Sequence, residues 1–146
     1  MEIQLLIIII LMIACSAFFS ASETALTGAN RIRLKSMAEN GSKGAKMALK
    51  LLDRYDKVIT TILIGNNIVN ITASSLGTIL ATAIVGPDNA ALVSTVVLTL
   101  VILAFGEVMP KSLAKDHSEG LTVATSGIIT FLTFIFTPLS ALFILL

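Results

Sequence analysis

Residues Ile3–Phe19 read IQLLIIIILMIACSAFF, a run without a single charge. Its length approaches the roughly 20 apolar residues that carry a helix across a bilayer. Ahead of it stand Met1 and Glu2, with no Lys or Arg, so the positive leader of a secretory signal is missing. The basic residues follow the run instead. It is therefore read as a retained membrane-spanning helix with its N-terminus outside, helical through Ala25 and occupying residues 1–27.

The rest of the composition agrees. Of 146 residues, 55% are hydrophobic and 13% charged, with a mean hydropathy of +0.96. A soluble domain of this size carries roughly 25% charge, so an all-α, multi-pass bundle in a lipid bilayer is expected. The single Cys15 excludes an internal disulfide framework. Trp is absent and Tyr55 is the only tyrosine, so no aromatic belt marks the membrane surfaces.

The charges are segregated. Of ten Lys and Arg residues, eight lie between Arg31 and Lys57, and the others are Lys111 and Lys115. The excess of positive charge inside the cell places segment 28–57 in the cytoplasm. Apolar positions Ile32, Leu34, Met37, Met47, Leu51 and Leu52 predict two short helices there, broken near Asn40-Gly41. The segment holds no Trp or Phe to stack on bases, so no nucleic-acid partner is expected.

A second span lies within 58–85. Gly86-Pro87-Asp88-Asn89 reads as an extracellular turn. A third span occupies 90–111, and Lys111, Lys115 and Asp116 mark the return to the cytoplasm. Segment 121–146 is apolar but interrupted at Thr137-Pro138. It is read either as a kinked fourth span or as shorter helices lying along the membrane. The chain finishes Ala-Leu-Phe-Ile-Leu-Leu, which predicts continuation into a soluble part.

Three spans carry polar residues at depths where they are costly. Ser16 and Ser20 are four apart and share a helical face, with Glu23 three residues on. Serines in membrane helices commonly bond the carbonyl four residues back or glue helices together, which is the plainer reading. Asn66 and Asn70 repeat the spacing on the second span just after Gly65, with Asn67 turned aside. In Gly106-Glu107-Val108-Met109-Pro110-Lys111, Pro110 removes the bond to the Gly106 carbonyl and predicts a helix break. That would leave a free carbonyl beside a carboxylate. The plainer alternative is a proline-terminated helix whose Glu107 pairs with Lys111 at the surface.

All three clusters offer hard oxygens, the ligand type of a small cation such as Mg²⁺. Other chemistries fit poorly. His117 is the only histidine, which excludes a site built of imidazoles and leaves no base near Ser16 or Ser20 for a protease. No phosphate-binding glycine loop is present, and an enzyme is not expected.

At these residues the chain resembles the membrane domain of the CorC/cyclin M family of magnesium transporters. The similarity rests on Ser16-Ala-Phe-Phe-Ser20-Ala-Ser-Glu23-Thr-Ala-Leu26, Gly65-Asn66-Asn67-Ile-Val-Asn70 and Phe105-Gly106-Glu107-Val-Met-Pro110-Lys111, in that order. The resemblance implies a homodimer in the plasma membrane with three spans per subunit, an intracellular helical hairpin and a juxtamembrane belt formed by 121–146. It also implies cytosolic CBS domains, which lie outside this chain. It implies a Mg²⁺ site in an inward-facing cavity, with Ser16, Ser20, Asn70, Glu107 and the backbone of Gly106 as ligands. Ala17, Glu23, Asn66 and Asn67 stand as further ligands or as residues behind them. The function so implied is Mg²⁺ efflux driven by Na⁺ influx. The alternatives are a membrane anchor that senses an ion without moving it, and a passive cation channel.

Overall fold

The computed structural model of the chain describes all residues, Met1–Leu146, and contains helices and no strands. Helix α1 (Glu2–Gly28) is followed by α2 (Arg31–Glu39), α3 (Lys43–Asp53) and α4 (Tyr55–Val85). Then come α5 (Pro87–Val101), a π-helical segment (Ile102–Val108), α6 (Met109–Asp116), α7 (Ser118–Ile135) and α8 (Thr137–Leu145). The chain is an all-α membrane bundle: four helices are long and apolar enough to cross a bilayer, namely Glu2–Gly28, Tyr55–Val85, Pro87–Asp116 and Ser118–Ile135. Three spans were expected, and the fourth helix, Ser118–Ile135, begins three residues ahead of the apolar segment read from the sequence.

The hairpin of α2 and α3 is built by its caps. Asn30 caps α2, its side-chain oxygen accepting the Ile32 and Arg33 amides at 2.9 and 3.2 Å. Ser42 caps α3, accepting the Ala45 amide at 3.1 Å. Between them Gly41 takes φ +96°, a left-handed conformation that suits glycine. Arg31 then ties the hairpin together through Asp53 at 2.7 Å.

At the other end the loop is shorter than expected. The anticipated four-residue turn is a single residue, Gly86, with φ +83°. Pro87 fits the first helical position because its fixed φ suits a helix and its missing N–H is not needed there. Asp88 adds a carboxylate to the positive end of the helix dipole.

α1 and α4 are the central antiparallel pair, and α5 through α6 runs alongside both. Gly65 allows the close approach: a Cβ there would stand 2.5 Å from the tip of Phe19. The main apolar core lies toward the hairpin end, where Phe19, Leu26, Leu51, Val58, Ile62 and Ile129 meet. Only 30 of 146 residues are buried, while Ile3, Ile71, Leu92, Leu100 and Phe131 are exposed by more than 60%. In water such a surface would aggregate; in a bilayer it meets lipid.

α7 does not run up the bundle. Its first residue, Ser118, sits against Gly28 at the end of α1. Its last turns meet Val58 at the start of α4, and Ser140 of α8 lies 3.1 Å from Thr61. Along the way Val123 packs over Gly44 of α3. Thr27 of α1 and Tyr55 of α4 are themselves hydroxyl to hydroxyl at 3.0 Å, so both ends of α7 touch the same end of the bundle.

Candidate cation site

Proline at position 110 sets the shape of the third rod. It was expected to break the helix, but the backbone widens instead. Upstream of it the chain makes a π-helical segment over Ile102–Val108, and the Met109 amide donates to the Ala104 carbonyl five residues back. Such widenings cluster at functional positions. The consequence is one of phase. In a straight α-helix a spacing of four drifts by about 40° per step. Here Ile102, Gly106, Pro110 and Ala114 all stay buried, because the wider turns absorb the drift. Phe105, Val108 and Met109 face outward.

Gly106 therefore faces α1 directly. A Cβ on it would lie 3.0 Å from Ser16 Oγ. From the other side Ser16 Oγ donates to Asn66 Oδ1 at 3.0 Å. One layer thus joins three elements: Ser16 of α1, Asn66 of α4 and Gly106 of the π segment. Ser16 is fully buried, and Glu107, half-buried, is the next residue after Gly106.

Ser20 and Asn70 bracket this layer. Four residues rise about 6 Å along a helix, and α1 and α4 are antiparallel. Ser20 therefore sits one turn to the hairpin side of the layer and Asn70 one turn to the other. Cα–Cβ bonds tilt toward each helix's own N-terminus, so both side chains lean back toward the Ser16–Asn66 contact. Ser20 Oγ and Asn70 Oδ1 are the two buried side-chain polar atoms with no hydrogen-bond partner in the chain. An unsatisfied buried polar group costs about 1–3 kcal/mol.

Back-bonding does not account for these serines. Ser22, Thr61, Thr122 and Thr133 each donate to the carbonyl four residues back, at 2.7–3.0 Å. Ser16 bonds across helices instead, and Ser20 bonds nothing.

The remaining candidates separate. Asn66, rather than Asn70, is the asparagine that touches Ser16, while Asn67 is exposed on the outer face. Ala17 is half-buried. Lys111 pairs with Glu23 at 3.3 Å rather than with Glu107, which has no cation within ion-pair distance. No three His, Cys, Asp or Glu side chains gather anywhere in the chain. Any cation held here is thus held mainly by neutral oxygens with one carboxylate.

One turn past Ser20 a polar cavity of about 340 Å³ opens, lined by Glu23, Thr24, Thr27, Gly28, Lys115 and Ser118. Of these, Glu23 stands among the candidate ligands and Lys115 was marked only as the end of the third span. The signal was present in the repeat 23, 24, 27, 28, one polar helical face, but its far wall comes from α6 and α7.

Known proteins resemble this chain over nearly its whole length. The description of the cyclin M transmembrane N-terminal domain matches residues 6–146. A UPF0053 protein of Haemophilus influenzae is 44% identical over 135 residues, covering 92% of this chain and 32% of the relative. The UPF0053 inner membrane protein YfjD of Escherichia coli is 44% identical over 124 residues, covering 85% and 29%. A polyamine export protein of Haemophilus influenzae is 26% identical over 143 residues, covering 90% and 33%. The chain spans about a third of the length of these relatives.

Proposed function

Because the chain belongs to the family of the cyclin M transmembrane N-terminal domain, we propose that it carries Mg²⁺ across the membrane through the Ser16–Asn66–Gly106 layer. The observation that carries the reading is the pair of orphaned oxygens, Ser20 Oγ and Asn70 Oδ1, leaning toward that layer from either side. A Mg²⁺ ion at that layer keeps part of its water shell, and those waters offer both orphaned oxygens a partner. Mg²⁺ demands oxygen ligands and gives up water reluctantly. A site of one carboxylate, Glu107, and several neutral oxygens binds it without trapping it.

Transport is efflux, with Na⁺ entering in exchange. The polar cavity beside Glu23 supplies the water-filled approach from the cytoplasm. The basic hairpin lies in the cytoplasm and α7 rests across the cytoplasmic ends of α1 and α4 as the juxtamembrane belt. Cytosolic CBS domains of the longer protein follow the chain.

A homodimer completes the unit. On α4, Asn67, Ser74 and Ser75 are exposed on one face, where lipid offers them no hydrogen bonds. A second copy covers that face. A Ser75→Cys variant is expected to cross-link to its own copy in membranes, and a strictly monomeric product under oxidation speaks against the dimer.

One relative's name raises polyamines as cargo. A long polycation needs a row of carboxylates, and none gathers in this chain, which favours a compact ion. Flux in liposomes distinguishes the readings. Mg²⁺ movement that needs a Na⁺ gradient and falls to background in Glu107→Ala is the expected result. Wild-type flux in that variant overturns the site. Flux that follows voltage without Na⁺ means a channel, polyamine flux without Mg²⁺ flux means the other cargo, and no flux at all means a sensor.

A further inference from the structure

A cavity of about 780 Å³ plays no part in the cation site. It lies where α3 turns into α4, roofed by the last turns of α7. Three cations line it: Lys50, Arg54 and Lys57. None of them has a carboxylate within ion-pair distance. The one acidic residue in the wall, Asp53, is already held by Arg31 at 2.7 Å. The cavity therefore presents net positive charge without a partner.

Its floor has a different character. Leu51 and Val58 are buried there, while Phe134 is 79% exposed at the rim. Thr130 and Thr137 border it, and their hydroxyls donate to the Ser126 and Thr133 carbonyls of α7, which leaves oxygen lone pairs but no free proton. The anion-binding groups are thus the three cations, set beside an apolar wall. Lys57 is the last charged residue of α4 and Val58 opens its uncharged stretch, so the cavity sits at the boundary between hydrocarbon and water.

We propose that this cavity binds the headgroup of an anionic phospholipid, with its phosphate between Lys50, Arg54 and Lys57 and an acyl chain along Phe134. Basic pockets between membrane helices on the cytoplasmic side suit such headgroups, and the cytoplasmic leaflet carries the anionic lipid. The volume lies within the range of small-molecule sites. The proposal rests on the cytoplasmic placement of the hairpin, and is independent of which ion the protein carries. A free phosphate would find the same cations but no use for the apolar wall.

The test uses purified chain in neutral detergent, with phosphatidylglycerol, phosphatidylcholine or inorganic phosphate added. Phosphatidylglycerol is expected to raise the melting temperature and to stay bound in native mass spectra, while the other two do neither. Each cation contributes about fivefold near an anionic surface, so Lys50→Gln/Arg54→Gln/Lys57→Gln should bind about a hundredfold more weakly. Lys43→Gln/Lys46→Gln, on the same helix but outside the cavity, should bind as the wild type does. If both sets weaken alike, the attraction is diffuse and the site is wrong. If inorganic phosphate displaces the lipid, the occupant is a soluble phosphate and the lipid assignment fails. If the triple variant melts lower even in phosphatidylcholine, retention of phosphatidylglycerol over phosphatidylcholine by the wild type alone decides: equal retention overturns the proposal.

Discussion

A hydroxyl in a membrane helix has an easy partner in the carbonyl four residues behind it. Ser22 and Thr61 take it, and Ser20, just one turn from Ser16, does not. That refusal is what makes Ser20 informative, because an orphan hydroxyl is a standing cost in the unliganded protein. Ser20→Ala removes it without leaving a large cavity. We predict that the variant is stabilised by about 1 kcal/mol without Mg²⁺, yet binds Mg²⁺ roughly tenfold more weakly, the equivalent of about 1.4 kcal/mol. Thermal melts with and without Mg²⁺ read both quantities, since a ligand that binds only the folded state raises Tm with its concentration. A Ser20→Ala protein that melts lower in the absence of Mg²⁺ contradicts this account. The choice between asparagines belongs to the same scale. Asn66 and Asn70 share a helical face, so their spacing could not rank them. Only the antiparallel depth of α1 against α4 gave the Ser16 contact to Asn66.

Within the third rod the decisive element is the π segment. Its cause is legible in the sequence as Pro110, but its form is not. A missing N–H can end a helix, kink it or be absorbed by a wider turn, and neighbouring packing selects among these. Here Gly106 lies against Ser16, and the spacing of four from Ile102 to Ala114 keeps one face on α1. Restoring the donor should let the segment relax toward α geometry and swing Gly106 and Glu107 away from α1. Pro110→Ala is therefore expected to lose transport by at least tenfold while Tm stays level or rises. Alanine is the better helix former by about 3 kcal/mol in a helix interior. Flux and melting temperature on one preparation test the pair of claims, and full flux with a higher Tm would show the π segment to be dispensable. The loops tell a similar story. The caps at Asn30 and Ser42 and the break at Gly41 are readable from residue type. The one-residue connection at Gly86 is not, because Pro87 and Asp88 serve equally well in a turn or in a first helical turn.

For the whole molecule the open question was segment 121–146, which hydropathy alone left between crossing the membrane and lying along it. Eighteen residues make α7 about 27 Å long, close to the roughly 30 Å of a hydrocarbon core, so length does not decide either. Contacts do, because they report depth. Ser118 meets Gly28, and the far end of α7 and the start of α8 meet Val58 and Thr61. Gly28 and Val58 lie at the same end of α1 and α4, with Thr27 and Tyr55 in contact between them. A spanning helix cannot touch one end of the bundle with both of its own. Single cysteines at Gly120 and Thr137, in a Cys15→Ala background because Cys15 is exposed, should therefore react with a membrane-impermeant thiol reagent from the same side, the cytoplasmic one. Asp88→Cys should react only from the opposite side. Labelling of Gly120→Cys and Thr137→Cys from opposite faces would make α7 a fourth span and would separate Thr61 from Ser140, which stand 3.1 Å apart.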